Sequence, residues 1–138
     1  MSLQDTLPVL RPTYAKVNLP ALKANLLKAK SICARKNIVP KIMLLVKANA
    51  YGHDAVLVSM YAQRNNLCDA FAVASIEEGV ILRNVGITKP ILVLGSIYPF
   101  ECFEYALKYI LSVAVASVRA AKFIVKLTNK LKITAKCH

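Results

Sequence analysis

Apolar residues along this chain follow two alternating spacings. Lys41–Lys47 (KIMLLVK), Ala70–Ala74 (AFAVA), Ile91–Leu94 (ILVL) and Leu111–Ala116 (LSVAVA) are short apolar runs rich in β-branched residues. Runs of this kind predict strands buried on both faces. Lys132–Cys137 reads as the start of another strand, and Thr13–Val17 as a short extra one. Between the runs the period is helical. Leu22, Leu26, Ala29 and Cys33 recur at three- and four-residue steps, while Lys23, Lys28, Lys30, Arg35 and Lys36 fall mostly elsewhere around the same helix. Asn18 is placed to cap that helix and Pro20 fits its first turn. Asp54 caps a second helix reaching about Asn65. Ser75-Ile-Glu-Glu78 has capping-box spacing ahead of a helix to about Val85, with Gly86 as its stop. Residues 99–109 predict a fourth helix, and Ser117 caps a fifth through about Lys130.

Strand and helix alternating in this way predict parallel βαβ units, an α/β fold. Two arrangements satisfy such units: an open doubly wound sheet, or part of a TIM-type (β/α)8 barrel. A whole barrel takes roughly 250 residues. With 138 residues, length alone favours an open five-stranded sheet, yet the chain stops inside a strand at His138. No linker, repeat or low-complexity stretch divides it.

Composition narrows the function classes. A hydrophobic fraction of 57% excludes an intrinsically disordered chain. The longest apolar run, Tyr109–Val118, is well short of the roughly 18 residues of a membrane-spanning helix. The first residues, MSLQD, lack a basic segment followed by an apolar one, so no secretory signal is read there. Cys33, Cys68, Cys102 and Cys137 are nearly evenly spaced, but their flanking residues share nothing. None of them pairs at metal-site or redox-motif spacing, so no metal is expected. They read as reduced, buried thiols of a cytoplasmic protein. The net charge of +12 raises nucleic-acid binding. The basic residues are spread over two helices (23–36 and 122–132) without interleaved aromatics, which reads as solvated helix faces and no nucleic-acid partner.

The informative segment is Val46-Lys-Ala-Asn-Ala-Tyr-Gly-His53. Alternation puts Met43, Leu45 and Lys47 on one strand face and Ile42, Leu44 and Val46 on the other. If the first set faces a barrel axis, the Lys47 amine emerges at the mouth where barrel sites lie. Desolvation or a neighbouring cation would free its lone pair for Schiff-base chemistry. A lysine snorkelling from a strand end into water fits the same spacing.

Lys41–His53 (KIMLLVKANAYGH) resembles the cofactor-attachment segment of alanine racemases. Arg11–Asn25, Ala70–Arg83 and Gly86–Gly95 resemble further stretches of that family in the same order, and the similarity runs from about residue 11 to 138. The resemblance implies that this chain is an incomplete amino-terminal domain, roughly the first half of a (β/α)8 barrel. The rest of the barrel and a carboxyl-terminal β domain would lie outside it. It implies pyridoxal 5'-phosphate as cofactor, Lys47 as its covalent anchor and one of two acid/base groups, and Tyr51 as a phosphate ligand. It implies a homodimer that interconverts L- and D-alanine, supplying D-alanine for peptidoglycan. The second acid/base group and the arginines expected to hold the substrate carboxylate and the cofactor ring match nothing in these residues. The 138-residue stretch alone is accordingly expected to turn over no substrate and, with long unpaired strand edges, to associate. His53 is expected to bond backbone rather than take a catalytic step. Leu45 and Leu94 would wall the cofactor, although simple core packing predicts apolar residues there too. Two other barrels bind the same cofactor: decarboxylases and a non-catalytic, homeostatic cofactor carrier. The Ala-Asn-Ala-Tyr-Gly-His run favours the racemase.

Overall fold

The computed structural model describes residues 14–35 and 38–138. Lys36, Thr13 and the start of the Arg11–Asn25 segment lie outside them. Helix α1 (Leu19–Cys33) begins at Asn18, whose side-chain oxygen accepts the Ala21 N–H at 3.0 Å. Strand β1 (Met43–Leu45) leads into α2 (Lys47–Gly52), a single turn described below, and then α3 (Ala55–Arg64). There follow β2 (Ala70–Val73), α4 (Ile76–Asn84), β3 (Ile91–Val93), a 3₁₀ turn (Phe100–Cys102) running into α5 (Phe103–Lys108), β4 (Ser112–Val113) and α6 (Val118–Leu131). Asp54, Ser75 and Ser117 cap α3, α4 and α6 through their side chains. Gly86 ends the α4 connection at φ +89°, a conformation in which a side chain would be strained.

The four strands are parallel and lie in the order β1-β2-β3-β4. Each strand pairs with the next in sequence. A doubly wound sheet reverses its order about the first strand, whereas a barrel wall does not. The terminal run pairs with the β4 edge in parallel at Val113 and Cys137, through N–H groups of Val113, Val115 and His138 donating to the carbonyls of Lys136, His138 and Val113.

Register divides the sheet into two unlike faces. Phe71, Val73, Ile91, Val93 and Val113 point to the helices and, with Leu82, Ile87, Ile124 and Leu127, make the core. The other face carries the row Leu45, Ala72, Leu92 and Ser112. Arg83 ties the helical layer to the loops: its guanidinium donates to the carbonyls of Ile87, Lys89, Tyr109 and Ile110 at 2.7–3.0 Å.

Several expectations need correction. Strand β1 is not buried on both faces: Met43 and Leu45 are 41% and 44% exposed, because no layer covers their side among the described residues. The edges are short, since among the described residues no strand exceeds four residues. Tyr14–Val17 forms no strand. On α1 only Leu22 and Leu26 pack against the core, while Ala29 and Cys33 are exposed; α1 packs against α3. Cys33 and Cys137 are exposed and Cys102 is half-buried, so Cys68 alone of the four is a buried thiol. Exposure of Lys23, Lys28, Arg35, Lys122, Lys126, Lys130 and Lys132 agrees with solvated helix faces.

Replacing Leu82, fully buried in α4, by alanine should lower the unfolding free energy by about 2–5 kcal/mol. The neighbouring exposed Ile81→Ala should change it by about 0.5 kcal/mol or less in the same urea titrations. Burial pushes the Cys68 thiol from its ordinary 9.0 up to about 11, with the Lys89 ammonium opposing and the Asp69 carboxylate adding to the shift. The folded chain holds that proton more tightly than the unfolded one. Its contribution to stability is therefore complete below about pH 9 and lost as the pH rises through about 11. At pH 8 iodoacetamide should alkylate exposed Cys33 well before Cys68, as peptide mapping would show.

Candidate active site

Lys47 follows β1 after one residue, Val46, at the carboxyl ends of the parallel strands. The backbone after it does something that composition does not announce. Ala48, Asn49, Ala50 and Tyr51 all adopt left-handed angles, with φ between 50° and 54° and ψ between 39° and 50°. A left-handed residue other than glycine costs about 1–2 kcal/mol. Four in succession must be held by specific partners, and those partners are visible. The Val46 carbonyl accepts the Ala50 N–H at 2.9 Å, and Val46 is itself tied to β2 by its N–H to the Ala72 carbonyl at 2.9 Å. The Asn49 side-chain oxygen accepts the Ala55 N–H at 2.9 Å, bonding the turn to the start of α3. Ala50 packs into the core. His53 Nδ1 lies 2.9 Å from the Ala50 carbonyl oxygen, which can only accept, so this is a hydrogen bond when Nδ1 carries the proton. His53 thus does what the sequence reading expected of it.

The turn returns Tyr51 to the side of Lys47. The lysine Nζ stands 6.0 Å from the centroid of the tyrosine ring, which is 60% exposed. Two of the sequence-predicted site residues are therefore neighbours at the open mouth of the sheet. Leu45 at the end of β1 and Leu94 just after β3 are also exposed, at 44% and 41%, so core packing does not account for them. Beside them the chain passes close to itself: a side chain at Gly95 would collide with the Ala74 carbonyl oxygen, which accepts the Gly95 N–H at 3.1 Å.

Sequence reading missed two residues. One is Asn49. The other is Glu78, whose carboxylate does not complete the capping box by returning to Ser75. Its two oxygens accept the N–H groups of Ala48 and Ala74, each at 2.7 Å. The capping-box spacing marks Glu78 as facing the strand ends. The approach of β1 to β2 that supplies its partners has no local signal.

A primary amine and a phenol on one open face match the two ends of an aldehyde-bearing phosphate: the amine is the nucleophile for the aldehyde, and the hydroxyl is a donor to the phosphate. Among the described residues no three His, Cys, Asp or Glu side chains form a metal-holding group. No helix among them is long and apolar enough to cross a membrane.

Residues 17–138 match the family described as alanine racemase, N-terminal domain. The alanine racemase of Symbiobacterium thermophilum is 48% identical over 90 residues, covering 65% of this chain and 22% of that protein. That of Methanococcus maripaludis is 37% identical over 130 residues, covering 94% of this chain and 34% of that protein. Among solved structures, an alanine racemase of Clostridium difficile 630 superposes with a TM-score of 0.79 at 35% identity, covering 95% of this chain and 34% of that one. The chain thus spans about a third or less of the length of these relatives. The parallel wall β1–β4 is roughly the first half of a TIM-type barrel. Alanine racemases depend on pyridoxal 5'-phosphate. The chain belongs to the alanine racemase N-terminal domain family.

Proposed function

We propose that these residues are the cofactor-anchoring part of a pyridoxal-phosphate-dependent alanine racemase. One observation carries the reading: the left-handed turn sets an amine and a phenol side by side at the strand ends, in a chain of this family. Lys47 is the covalent anchor and one of the two groups that move a proton at the substrate Cα. Tyr51 donates its hydroxyl to the cofactor phosphate. The cofactor supplies an electron sink for the carbanion at Cα. Inversion needs a base on one face of Cα and an acid on the other, so Lys47 serves one face and a second group the opposite one. Leu45 and Leu94 wall the cofactor ring. The whole protein works in this reading as a cytoplasmic homodimer on L- and D-alanine, providing D-alanine for peptidoglycan, with residues 1–138 an incomplete barrel domain. A carrier of the same cofactor differs in one readout: it binds without exchanging the α-proton of either alanine enantiomer.

Borohydride reduction of the intact protein loaded with pyridoxal 5'-phosphate should label Lys47, and Lys47→Ala should abolish both the label and α-proton exchange in deuterated water. A label on another side chain would refute the assignment. Tyr51→Phe removes one charge-assisted donor and should weaken cofactor binding about ten- to a hundredfold, read by titrating the apoprotein. The backbone gives a separate check. Ala48→Val places a β-branched residue at φ 50°, which should destabilise the protein by about 1–3 kcal/mol and reduce labelling of Lys47. Ala48→Gly should leave stability within about 1 kcal/mol, because relief of strain offsets the entropy it adds to the unfolded chain.

A further inference from the structure

We propose that Glu78 is a positioning residue for Lys47, its carboxylate clamping the two strand ends and fixing the direction in which the lysine leaves β1. The role rests on Lys47 being the cofactor anchor, as proposed above.

Glu78 is the third residue of α4 after the cap Ser75, whose side chain takes the Glu78 N–H at 3.4 Å. In a capping box the glutamate would reach back to the Ser75 N–H. Here it passes Ser75 and reaches back one residue further, to Ala74, and across to Ala48 beyond the neighbouring strand. Oε1 accepts from Ala48 and Oε2 from Ala74, both at 2.7 Å, the short distance of bonds to a charged acceptor. Ladder pairing of β1 with β2 ends at Leu45 and Ala72. Beyond that point the two strands diverge, β1 into the left-handed turn and β2 towards α4. The carboxylate replaces the missing ladder rung, bonded to one N–H from each strand.

The Ala48 N–H shares a peptide plane with the Lys47 carbonyl. Holding it fixes rotation about the Lys47 Cα–C bond, so the clamp sets both the entry to the left-handed turn and the bearing of the lysine side chain. Neighbouring Glu77 supplies an internal control. It sits on the same first turn of α4 and is exposed, its carboxyl held below the usual carboxylate range by the backbone and Ser75 at the helix start, while the Ala48 N–H goes to Glu78. Removing its charge alters the helix terminus as much as removing that of Glu78, without touching Ala48.

The test compares Glu78→Gln, Glu77→Gln and the unsubstituted intact protein. In Glu78→Gln an amide NH2 replaces one acceptor, leaving one of the two N–H groups unpaired. Without cofactor, hydrogen exchange at Ala48 and Ala74 should quicken about tenfold or more in Glu78→Gln and stay unchanged in Glu77→Gln. On adding pyridoxal 5'-phosphate, borohydride-trapped label at Lys47 should build up about tenfold more slowly in Glu78→Gln, with other lysines taking a larger share. Should Glu78→Gln fail to fold, Glu78→Asp keeps the charge but shortens the reach, and the same two readouts apply. Unchanged exchange at Ala48 overturns the clamp. Faster exchange with Lys47 labelled at the unsubstituted rate overturns the positioning role alone. An unlabelled Lys47 in the unsubstituted protein overturns the cofactor reading, and the positioning role with it, while exchange still reports on the clamp.

Discussion

Strand β1 is compelled to end in a left-handed turn, and the site follows from that constraint. A right-handed turn would also leave Lys47 and Tyr51, four residues apart, as neighbours, but it would run off the strand end with the opposite hand. Four residues at φ near 50° instead fold the chain back within one turn. The conformation is intrinsically costly for alanine and tyrosine. It persists because it is tied at each end: to β2 through Val46, to α3 through Asn49, and across the strand gap through Glu78. Strain concentrated where chemistry is expected, and held by surrounding structure, is characteristic of functional backbone.

The sheet supports this by having two different faces. Its helix-facing side is a packed layer around Phe71, Val73, Ile91 and Val93, all at most 1% exposed. That layer keeps the strand ends in register. The opposite side carries Leu45, Ala72, Leu92 and Ser112 in one row, of which Ala72, Leu92 and Ser112 are buried and Leu45, nearest the lysine loop, is exposed. Packing energy and chemistry are thus assigned to alternate residues of the same short strands, as the two-residue period allows.

Much of the fold was legible in the sequence because its signals are local. Asn18, Asp54, Ser75 and Ser117 each cap the helix that their spacing indicated, since a cap depends only on residues two or three positions on. The apolar runs marked all four strands. Burial was less legible. Cys33 and Cys137 read as buried because cysteine usually is, yet one sits on the outer end of α1 and the other at the sheet edge. Met43 and Leu45 read as buried because apolar runs usually are, yet among the described residues nothing covers that side of β1. Burial depends on what lies opposite, which no window of residues contains.

The sequence by itself determined where the helices and strands lie and that the strands run parallel, because periodicity and capping act over a few residues. Local pattern left barrel wall and open sheet both open; the resemblance of the chain's segments pointed to the barrel, and tertiary structure bore that out through a strand order that does not reverse among the described residues. Tertiary structure alone brought the Glu78 carboxylate to Ala48, thirty residues away along the chain. Both outcomes depend on which strands lie side by side, a long-range choice made by packing the whole helical layer against the sheet.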